Sequence, residues 1–273
     1  MHAPVPAFSR LLLTGAAGVL GQVLAPALRG GCGQLRLSDL PAMLARLPAV
    51  PGDETLPCDL ADAGAVQRLL QGVDAVVHLG GVSVEGPFAP ILQANIAGAA
   101  HLYEAARCNG TRRVVFASSN HVTGCYAQGE AVGVADAPRP DGHYGASKLY
   151  GEGLAALYWH RWGIESVCLR IGSATPTPVD ARALATWLSL RDLVQLVRCA
   201  LGAPEVGCTV AYGCSANTRR WWPDDGSWAR LGYKPQDNAE DWAPQVQHLL
   251  LPAGPQRRLQ GGSFLGIGPA PRE

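Results

Sequence analysis

The feature that most constrains the fold is a glycine-rich stretch near the N-terminus. A short apolar run over residues 10–14 ends abruptly at TGAAGVLG (residues 14–21), and an apolar pattern with helical spacing continues to Leu28. This order predicts a strand, a glycine turn and a helix. Glycines let backbone N–H groups approach a pyrophosphate, and the helix N-terminus adds a partial positive charge. The stretch therefore predicts a dinucleotide-binding unit, with a tight turn that binds no ligand as the alternative.

Carboxylates at the ends of the next two predicted strands fit such a site. The strand over residues 35–39 ends on Asp39, eighteen residues after the last glycine of the turn. An acidic residue there accepts hydrogen bonds from the adenosine ribose and repels a 2′-phosphate, which favours NAD over NADP. A third strand is predicted over residues 54–60, with Asp59 placed to meet the adenine amino group and Leu60 against its ring. Each aspartate could instead cap the segment that follows it.

Two further apolar runs predict parallel strands with polar groups at their carboxyl ends. Residues 75–79 are followed by GGVS, and residues 113–117 are followed by SSNH. Open α/β sheets bind ligands at this edge. Ser83 and Ser119 are therefore candidate site residues. His78, inside the first run, is expected to be a hydrogen-bonded core histidine and not a base.

The stretch YGASK supplies the reactive groups that the strand ends lack. Tyr144 and Lys148 are four residues apart, so on a helix they lie on one face, one turn apart. A tyrosine is a poor base at neutral pH, but an adjacent cation stabilises the phenolate and lowers its pKa. Tyr144 is thus a candidate for exchanging a proton with an alcohol. An isolated pair of this kind often lies on an ordinary surface helix, so its meaning depends on the rest of the chain.

A long helix is predicted over residues 88–107, and it carries a polar residue in apolar surroundings. The amide of Asn95 needs hydrogen-bond partners if it is buried. It either holds a water that relays protons to Lys148 or serves only as a packing device.

Composition excludes several other classes of protein. The 22 basic residues balance the 22 acidic ones, so no overall charge attracts nucleic acid or an anionic membrane. The eight cysteines are scattered without a CxxC pair or a histidine at zinc-site spacing, which predicts reduced thiols and no metal site. The chain has no apolar run of about 18 residues and no signal-peptide pattern. We therefore expect a cytoplasmic protein with neither a nucleic-acid nor a membrane partner.

The motifs fall in one order over residues 10–171 and together resemble those of the extended short-chain dehydrogenase/reductases. The resemblance includes the longer stretches LGGVSVEGPF, FASSNHVTGCY, RIGSATPTP and LQGGSF, so it covers nearly the whole chain. It implies an α/β fold with a Rossmann doubly wound parallel sheet and an NAD-binding core over residues 1–173. Residues 174–273 would form a small irregular substrate cap, interleaved with the last core helix and strand, and a loop-like tail.

Within this family the chain resembles the members that oxidise D-glucuronate and D-galacturonate at C1 to aldarolactones with NAD. The resemblance implies that Tyr144 takes the proton of the C1 hydroxyl while a hydride passes from C1 to the nicotinamide. Lys148 would hold the nicotinamide ribose, Ser119 would orient the C1 oxygen, and Asn95 would support proton transfer. Arg182 would clamp the substrate carboxylate, because a guanidinium is always charged and bonds a carboxylate bidentately. A homo-oligomer is also implied.

The remaining site residues are assigned by their positions in the family motifs. The cofactor would contact the glycine turn, the strand ends and the reactive pair, namely Gly15, Ala17, Gly18, Val19, Leu20, Gly21, Asp39, Asp59, Leu60, Leu79, Gly80, Gly81, Tyr144, Lys148 and Ile171. The sugar would contact Ser83, Ser119, Asn120, His121, Tyr144, Ser173 and Arg182. Gly86 and the segment 179–181 depart from the family pattern, which leaves the preference between the two sugars open.

Two other functions are compatible with the same motifs. A nucleotide-sugar epimerase or dehydratase shares Tyr144 and Lys148, but it needs a larger cap to hold a second nucleotide. An NAD-binding sensor without turnover typically lacks one residue of that pair. Cys125 lies near the predicted site, but the sequence offers it no thiolate-stabilising partner, so we expect an inert packing residue.

Overall fold

The core of the fold is a parallel β-sheet with helices packed on both faces. The structure is a computed structural model, and it describes residues 8–267. The strands within these residues are β1 (Phe8–Thr14), β2 (Cys32–Ser38), β3 (Asp53–Thr55), β4 (Ala75–His78), β5 (Arg113–Ser119), β6 (Glu165–Ile171), β7 (Ser173–Ala174), β8 (Trp187–Leu188) and β9 (Cys208–Gly213). The sheet of these residues has the order β3-β2-β1-β4-β5-β6-β9, with every neighbouring pair parallel. The two-residue strands β7 and β8 pair with each other.

Helices connect successive strands and cover the sheet. In the described part of the chain they are α1 (Val19–Leu28), α2 (Pro41–Leu44), α3 (Ala63–Leu69), α4 (Phe88–Ile91), α5 (Gly98–Asn109), α6 (His143–Trp162), α7 (Ala183–Thr186), α8 (Leu190–Gly202), α9 (Ser227–Leu231), α10 (Ala243–Val246) and α11 (Pro255–Arg258). Short 3-10 segments lie at Arg29–Gly31, Asn120–Thr123, Ala239–Trp242 and Gly262–Gly266. No helix between residues 8 and 267 has the length and apolar character needed to cross a membrane.

The central strand β1 explains why the sheet is covered on both faces. Successive side chains of a strand point to opposite faces. Leu11 and Leu13 pack in the cluster that contains side chains of α1 and α8, whereas Leu12 packs in the cluster that contains side chains of α3, α5 and α6. All three leucines are fully buried. A continuous apolar run is therefore what a central parallel strand requires.

The strand order reverses between β1 and β4, and this opens a crevice at their carboxyl ends. The crevice is closed at its floor by a hydrogen-bond chain. Thr14 Oγ1 lies 2.8 Å from His78 Nδ1 and accepts a hydrogen bond from the Gly80 N–H at 3.1 Å. Burial lowers the pKa of His78 to about 3, so this side chain is a neutral, bonded core histidine, as predicted.

The predicted Rossmann doubly wound parallel sheet is confirmed, but the third strand is shorter than predicted. β3 covers Asp53–Thr55, whereas the prediction was residues 54–60. Pro57 has no N–H to donate to the ladder, which ends the strand. The chain continues beside β2 without strand geometry, because Leu56 and Cys58 still donate to main-chain oxygens of the β2 segment.

The predicted helix over residues 88–107 also needs a correction. It is interrupted by a π-helical turn, Leu92–Ala97, which joins α4 to α5. Asn95 lies within this turn and is buried. π-turns inside α-helices are frequently found at functional sites, and this one directs the Asn95 amide toward the segment that follows β4.

The C-terminal part first completes the sheet and then becomes irregular. The last core helix and strand that the sequence predicts within residues 174–273 are observed as α8 and β9. Trp222 follows them and stacks on Tyr212, with ring centroids 4.8 Å apart. The division of the chain into a core and a cap at residue 174 stays a prediction. Residues 1–7 and the end of the predicted tail, residues 268–273, lie outside the described residues.

Candidate active site

The glycine turn between β1 and α1 has the backbone that the sequence predicts. Gly15 has φ +66°, a left-handed conformation that favours glycine. A Cβ atom on Gly21 would collide with the backbone of Gly15 and Ala16. Two glycines of the turn are therefore required by backbone geometry. The first residues of α1, from Val19 to Gly21, are thereby brought close to the end of β1, where they line the crevice.

Asp39 lies directly after β2 and supports this turn. Its Oδ2 accepts a hydrogen bond from the Ala17 N–H at 3.0 Å, and its Oδ1 accepts one from the Leu40 N–H at 2.8 Å. Asp59 accepts from the Ala61 N–H at 2.9 Å, whereas the residue that caps α3 is Asp62. Asp59 is therefore not the cap of α3.

Two adjoining cavities occupy the crevice. The smaller one, about 230 Å³, is lined by Asp39, Asp59 and Leu60. The larger one, about 790 Å³, extends from the glycine turn past Tyr144 and Lys148 to Arg182. We call the smaller cavity the narrow end of the site, and the part of the larger cavity around His121, Tyr144 and Arg182 the wide end. Such a site fits a dinucleotide that continues into a small polar substrate.

The cavities bring together nearly all residues that the sequence predicts for the site. Every predicted cofactor residue except Ala17 lines one or both of them, and every predicted sugar contact lines the larger one, namely Ser83, Ser119, Asn120, His121, Tyr144, Ser173 and Arg182. Ala17 does not line either cavity, but its N–H donates a hydrogen bond to the Asp39 carboxylate. Asn95 does not line either cavity.

Tyr144 and Lys148 lie on one face of α6, as predicted, but they do not shift each other's pKa as predicted. Lys148 Nζ lies 5.5 Å from the centroid of the Tyr144 ring and 5.3 Å from that of Phe116. Burial raises the pKa of Tyr144 to about 12, with the Ser119 hydroxyl opposing the shift. Burial lowers the pKa of Lys148 to about 8. Desolvation therefore outweighs the attraction between phenolate and ammonium in the protein by itself.

Asn95 anchors the segment after β4 to α6. Its side-chain oxygen accepts a hydrogen bond from the Val82 N–H at 2.8 Å, and its nitrogen donates to Val82 O and to Ser147 Oγ, both at 3.0 Å. Both amide hydrogens have partners. These contacts favour the packing alternative, while the relay to Lys148 stays a prediction.

Arg182 is a half-buried cation directly before α7. Its Nε donates to Gln260 O at 2.7 Å, and one terminal nitrogen donates to Ser173 Oγ and Thr186 Oγ1. The other terminal nitrogen donates to the Asn120 side-chain oxygen, in the amide orientation that also lets Asn120 donate to Ile171 O. Burial lowers the pKa of Arg182 to about 10. Within residues 8–267 no carboxylate forms an ion pair with it. The cavity thus presents a guanidinium that no carboxylate pairs directly, although the charges of Asp180 and Asp141 lie near enough to oppose the lowering of its pKa.

Three site residues were not identified from the sequence. Phe264, in the C-terminal LQGGSF stretch, stacks on His121 and meets the edge of Tyr144. Asp141 bonds His121, and Glu85 is buried and accepts a hydrogen bond from the Tyr144 N–H at 2.8 Å. The position of Asp141 three residues before the tyrosine was the one available sequence signal. The stretch with Phe264 carried part of the family resemblance, but no site residue was assigned in it.

Other chemistries find no support in the described residues. They contain no group of three or more His, Cys, Asp or Glu side chains placed to hold a metal ion. All eight cysteines are free thiols. Burial raises the pKa of the Cys125 thiol, and the nearby Asp141 charge raises it further, which favours the predicted inert role.

Comparison with known proteins gives matches along almost the whole chain. A sequence model described as the NAD dependent epimerase/dehydratase family matches residues 11–176. A uronate dehydrogenase of Pseudomonas syringae pv. tomato is 50% identical over 271 residues, which cover 98% of this chain and 97% of that protein.

Solved structures agree with these sequence matches. The crystal structure of a glucuronic acid dehydrogenase from Chromohalobacter salexigens has a TM-score of 0.90 at 47% identity and covers 96% of this chain and 98% of that one. A mutant uronate dehydrogenase from Agrobacterium tumefaciens, solved in complex with NAD, has a TM-score of 0.88 at 47% identity and covers 94% and 97%.

Proposed function

Because this chain belongs to the NAD dependent epimerase/dehydratase family, we propose that it is an oxidoreductase that oxidises uronates with NAD. Its similarity to uronate dehydrogenases extends over the core and the C-terminal segment, and about half of the aligned residues are identical. The structural observation that carries the proposal is Arg182, a half-buried guanidinium that lines the cavity and forms no ion pair with a carboxylate among the described residues. It lies in the same cavity as the Tyr144 hydroxyl, so an anionic sugar can meet both.

The residues of the crevice fit NAD as the cofactor. The close contact of Gly21 with the Gly15 and Ala16 backbone packs α1 tightly against the turn, and the N-terminus of a helix in that position favours a pyrophosphate. Asp39 has oxygens free to accept from ribose hydroxyls beside its two main-chain bonds, and its charge disfavours a 2′-phosphate. NAD supplies the hydride acceptor when it is bound.

The proposed reaction follows from the groups at the wide end of the cavity. Tyr144, as phenolate, takes the proton of the C1 hydroxyl, and Ser119 holds that oxygen in place. The Lys148 Nζ lies 5.5 Å from the centroid of the Tyr144 ring, and its positive charge favours the phenolate once a ligand orders both groups. Arg182 holds the C6 carboxylate at the other end of the sugar. Loss of a proton and a hydride from the ring hemiacetal gives a lactone without addition of water.

A single spectrophotometric assay tests this function. Purified protein is incubated with D-glucuronate or D-galacturonate and with NAD or NADP, and reduced cofactor is measured. We expect net NADH formation with at least one of the two sugars and little NADPH formation. An epimerase returns its hydride and forms no net NADH, and a sensor binds NAD without any turnover, so either outcome would reject the proposal. Homo-oligomeric assembly and a cytoplasmic location stay predictions.

Replacing Gly21 by alanine tests the glycine turn. The added methyl group would collide with the Gly15 backbone, and relieving such overpacking costs about 1–3 kcal/mol. We expect the Kd of NAD to rise by about tenfold or more, measured by isothermal titration calorimetry. Gly153→Ala is the matched control, because a Cβ atom on this α6 glycine meets nothing within 4 Å. Unchanged NAD affinity in Gly21→Ala would mean that the pyrophosphate does not approach this turn.

Replacing Asp39 by alanine tests the choice of cofactor. The variant loses the ribose acceptor and the negative charge, so we expect weaker NAD binding. The ratio of kcat/KM with NAD to kcat/KM with NADP should fall by about tenfold or more. Asp74→Ala is the control, since Asp74 also accepts a backbone hydrogen bond, from the Arg10 N–H, but lies at the amino-terminal edge of the sheet. If the cofactor ratio of Asp39→Ala equals that of the unaltered protein, the ribose role is refuted.

A further inference from the structure

A buried carboxylate and imidazole form a pair at the wide end of the cavity. His121 Nδ1 and Asp141 Oδ2 are 2.6 Å apart, and the Asp141 side chain is only 1% exposed. His121 lines the cavity, whereas Asp141 lies behind it and does not. Asp141 therefore has no direct access to a ligand, and any effect it has on one passes through His121.

The surroundings of Asp141 fix the direction of its carboxylate. Cβ atoms on Gly124 and Gly261 would collide with Oδ2, and one on Gly145 would lie 3.1 Å from Oδ1. Oδ1 has no hydrogen-bond partner in the described residues. A buried carboxylate oxygen without a partner is costly. The one side-chain hydrogen bond of this carboxylate in the described region goes to His121.

The His121 ring is held on its other sides by aromatic contacts. Phe264 stacks on it with centroids 3.9 Å apart and planes 12° from parallel, and Tyr144 presents its ring at 5.7 Å in an edge arrangement. Nε2 has no hydrogen-bond partner in residues 8–267, and it is not among their fully buried unpaired atoms. Nε2 is thus the one ring nitrogen that faces the cavity.

We propose that Asp141 is a positioning residue that holds the proton of neutral His121 on Nδ1, so that Nε2 accepts a hydrogen bond from a sugar hydroxyl. An ionised carboxylate can only accept hydrogen bonds, so the nitrogen facing it must carry the proton. The other nitrogen of a neutral imidazole then presents a lone pair. This inference rests on the proposed function for its ligand, and it assigns His121 the role of recognising a hydroxyl group as donor.

The tautomer can be measured directly by NMR on ¹⁵N-histidine-labelled protein at neutral pH, with the His121 signals assigned from their loss in His121→Gln. We expect the proton on Nδ1 in the unaltered protein and a shift toward Nε2 in Asp141→Asn, because the amide can donate to Nδ1. Asp192→Asn is the control: it neutralises another fully buried aspartate, which lies on α8 away from the cavity, accepts hydrogen bonds from Ser215 and two main-chain N–H groups, and has no histidine partner. Its His121 signals should match those of the unaltered protein.

A double-mutant cycle tests whether Asp141 acts through His121. We expect Asp141→Asn to lower kcat/KM for the uronate by about ten- to hundredfold, the usual weight of a charge-assisted hydrogen bond. In the His121→Gln background the same change should have almost no further effect, because the group it positions is gone. The Kd of NAD should stay within about twofold in all variants.

Several results would overturn the inference. A proton on Nε2 of His121 in the unaltered protein, alone or together with one on Nδ1, would remove the acceptor. Multiplicative losses in the double mutant would mean that Asp141 acts independently of His121. If Asp141→Asn does not fold, the tautomer of the unaltered protein still decides. If the unaltered protein turns over no uronate, the proposed function fails while the NMR result stands on its own.

Discussion

Replacing Tyr144 by phenylalanine is expected to lower kcat for uronate oxidation by about a hundred- to ten-thousandfold, the range that a positioned acid or base contributes. The substitution removes only the hydroxyl. The ring contacts with His121 and Phe264 are kept, so the shape of the cavity is preserved. The Kd of NAD should therefore stay within about twofold of its original value. Initial rates of NADH formation at saturating substrate measure the first effect, and calorimetric titration with NAD measures the second.

The same helix offers a matched control for this experiment. Tyr150 also lies on α6 but is 40% exposed and does not line the cavity. Tyr150→Phe should leave kcat unchanged within about twofold, since an exposed hydroxyl of this kind has no bound partner to lose. If Tyr144→Phe retains turnover comparable to that of Tyr150→Phe, the phenol is not the base and the proton leaves by another group.

Replacing Arg182 by lysine should raise the KM for uronate by about tenfold or more and change kcat much less. Lysine keeps the charge but cannot reproduce the planar fork, and the acceptors on Gln260, Ser173 and Asn120 would lose their donors. Each charge-assisted bond is worth about 1.5–3 kcal/mol. A rise in KM at constant kcat is the signature of an interaction made equally in the bound substrate and in the transition state.

Arg191→Lys is the control for the arginine prediction. Its guanidinium pairs with Asp237, and its side chain is 62% exposed, so the exchange should not alter KM. A second comparison uses a neutral aldose in place of the uronate: any residual activity with that sugar should respond far less to Arg182→Lys. Equal KM values for the unaltered protein and Arg182→Lys would place the carboxylate elsewhere in the cavity.

The sequence predicted the cofactor half of the crevice well, because that half is built from local signals. A strand, a glycine turn and a helix follow one another within about twenty residues, and Gly15 and Gly21 have backbone reasons to be glycine. The parallel strands bring Asp39 and Leu79 to the same edge without further information. The extent of β3 was wrong, where Pro57 interrupts the ladder, and the predicted helix over residues 88–107 missed the π-helical turn Leu92–Ala97.

The sugar half could not be predicted to the same depth, because its contacts join distant segments. Phe264 meets His121 across more than one hundred residues of chain, and no periodic pattern encodes that contact. Glu85 and Asp141 are ordinary acidic loop residues until packing buries them. In the protein without ligands, the Tyr144 pKa is also raised where the sequence predicted a lowering, for the same reason. The spacing to Lys148 is visible in the sequence, but the desolvation that outweighs it depends on the whole fold.

The two halves of the site form at different stages of synthesis, because the sugar half needs contacts from the C-terminal segment. Gln260 binds Arg182 through its main-chain oxygen, and its side chain bonds Trp222, Ala127 and Glu130. A ribosome delivers the nucleotide-binding strands first, and N-terminal units fold first as the chain emerges. The pocket for the acidic sugar, in contrast, also needs Gln260, which follows the last strand of the sheet in the chain. A nascent chain can thus hold a complete dinucleotide fold before it has any means to recognise a uronate.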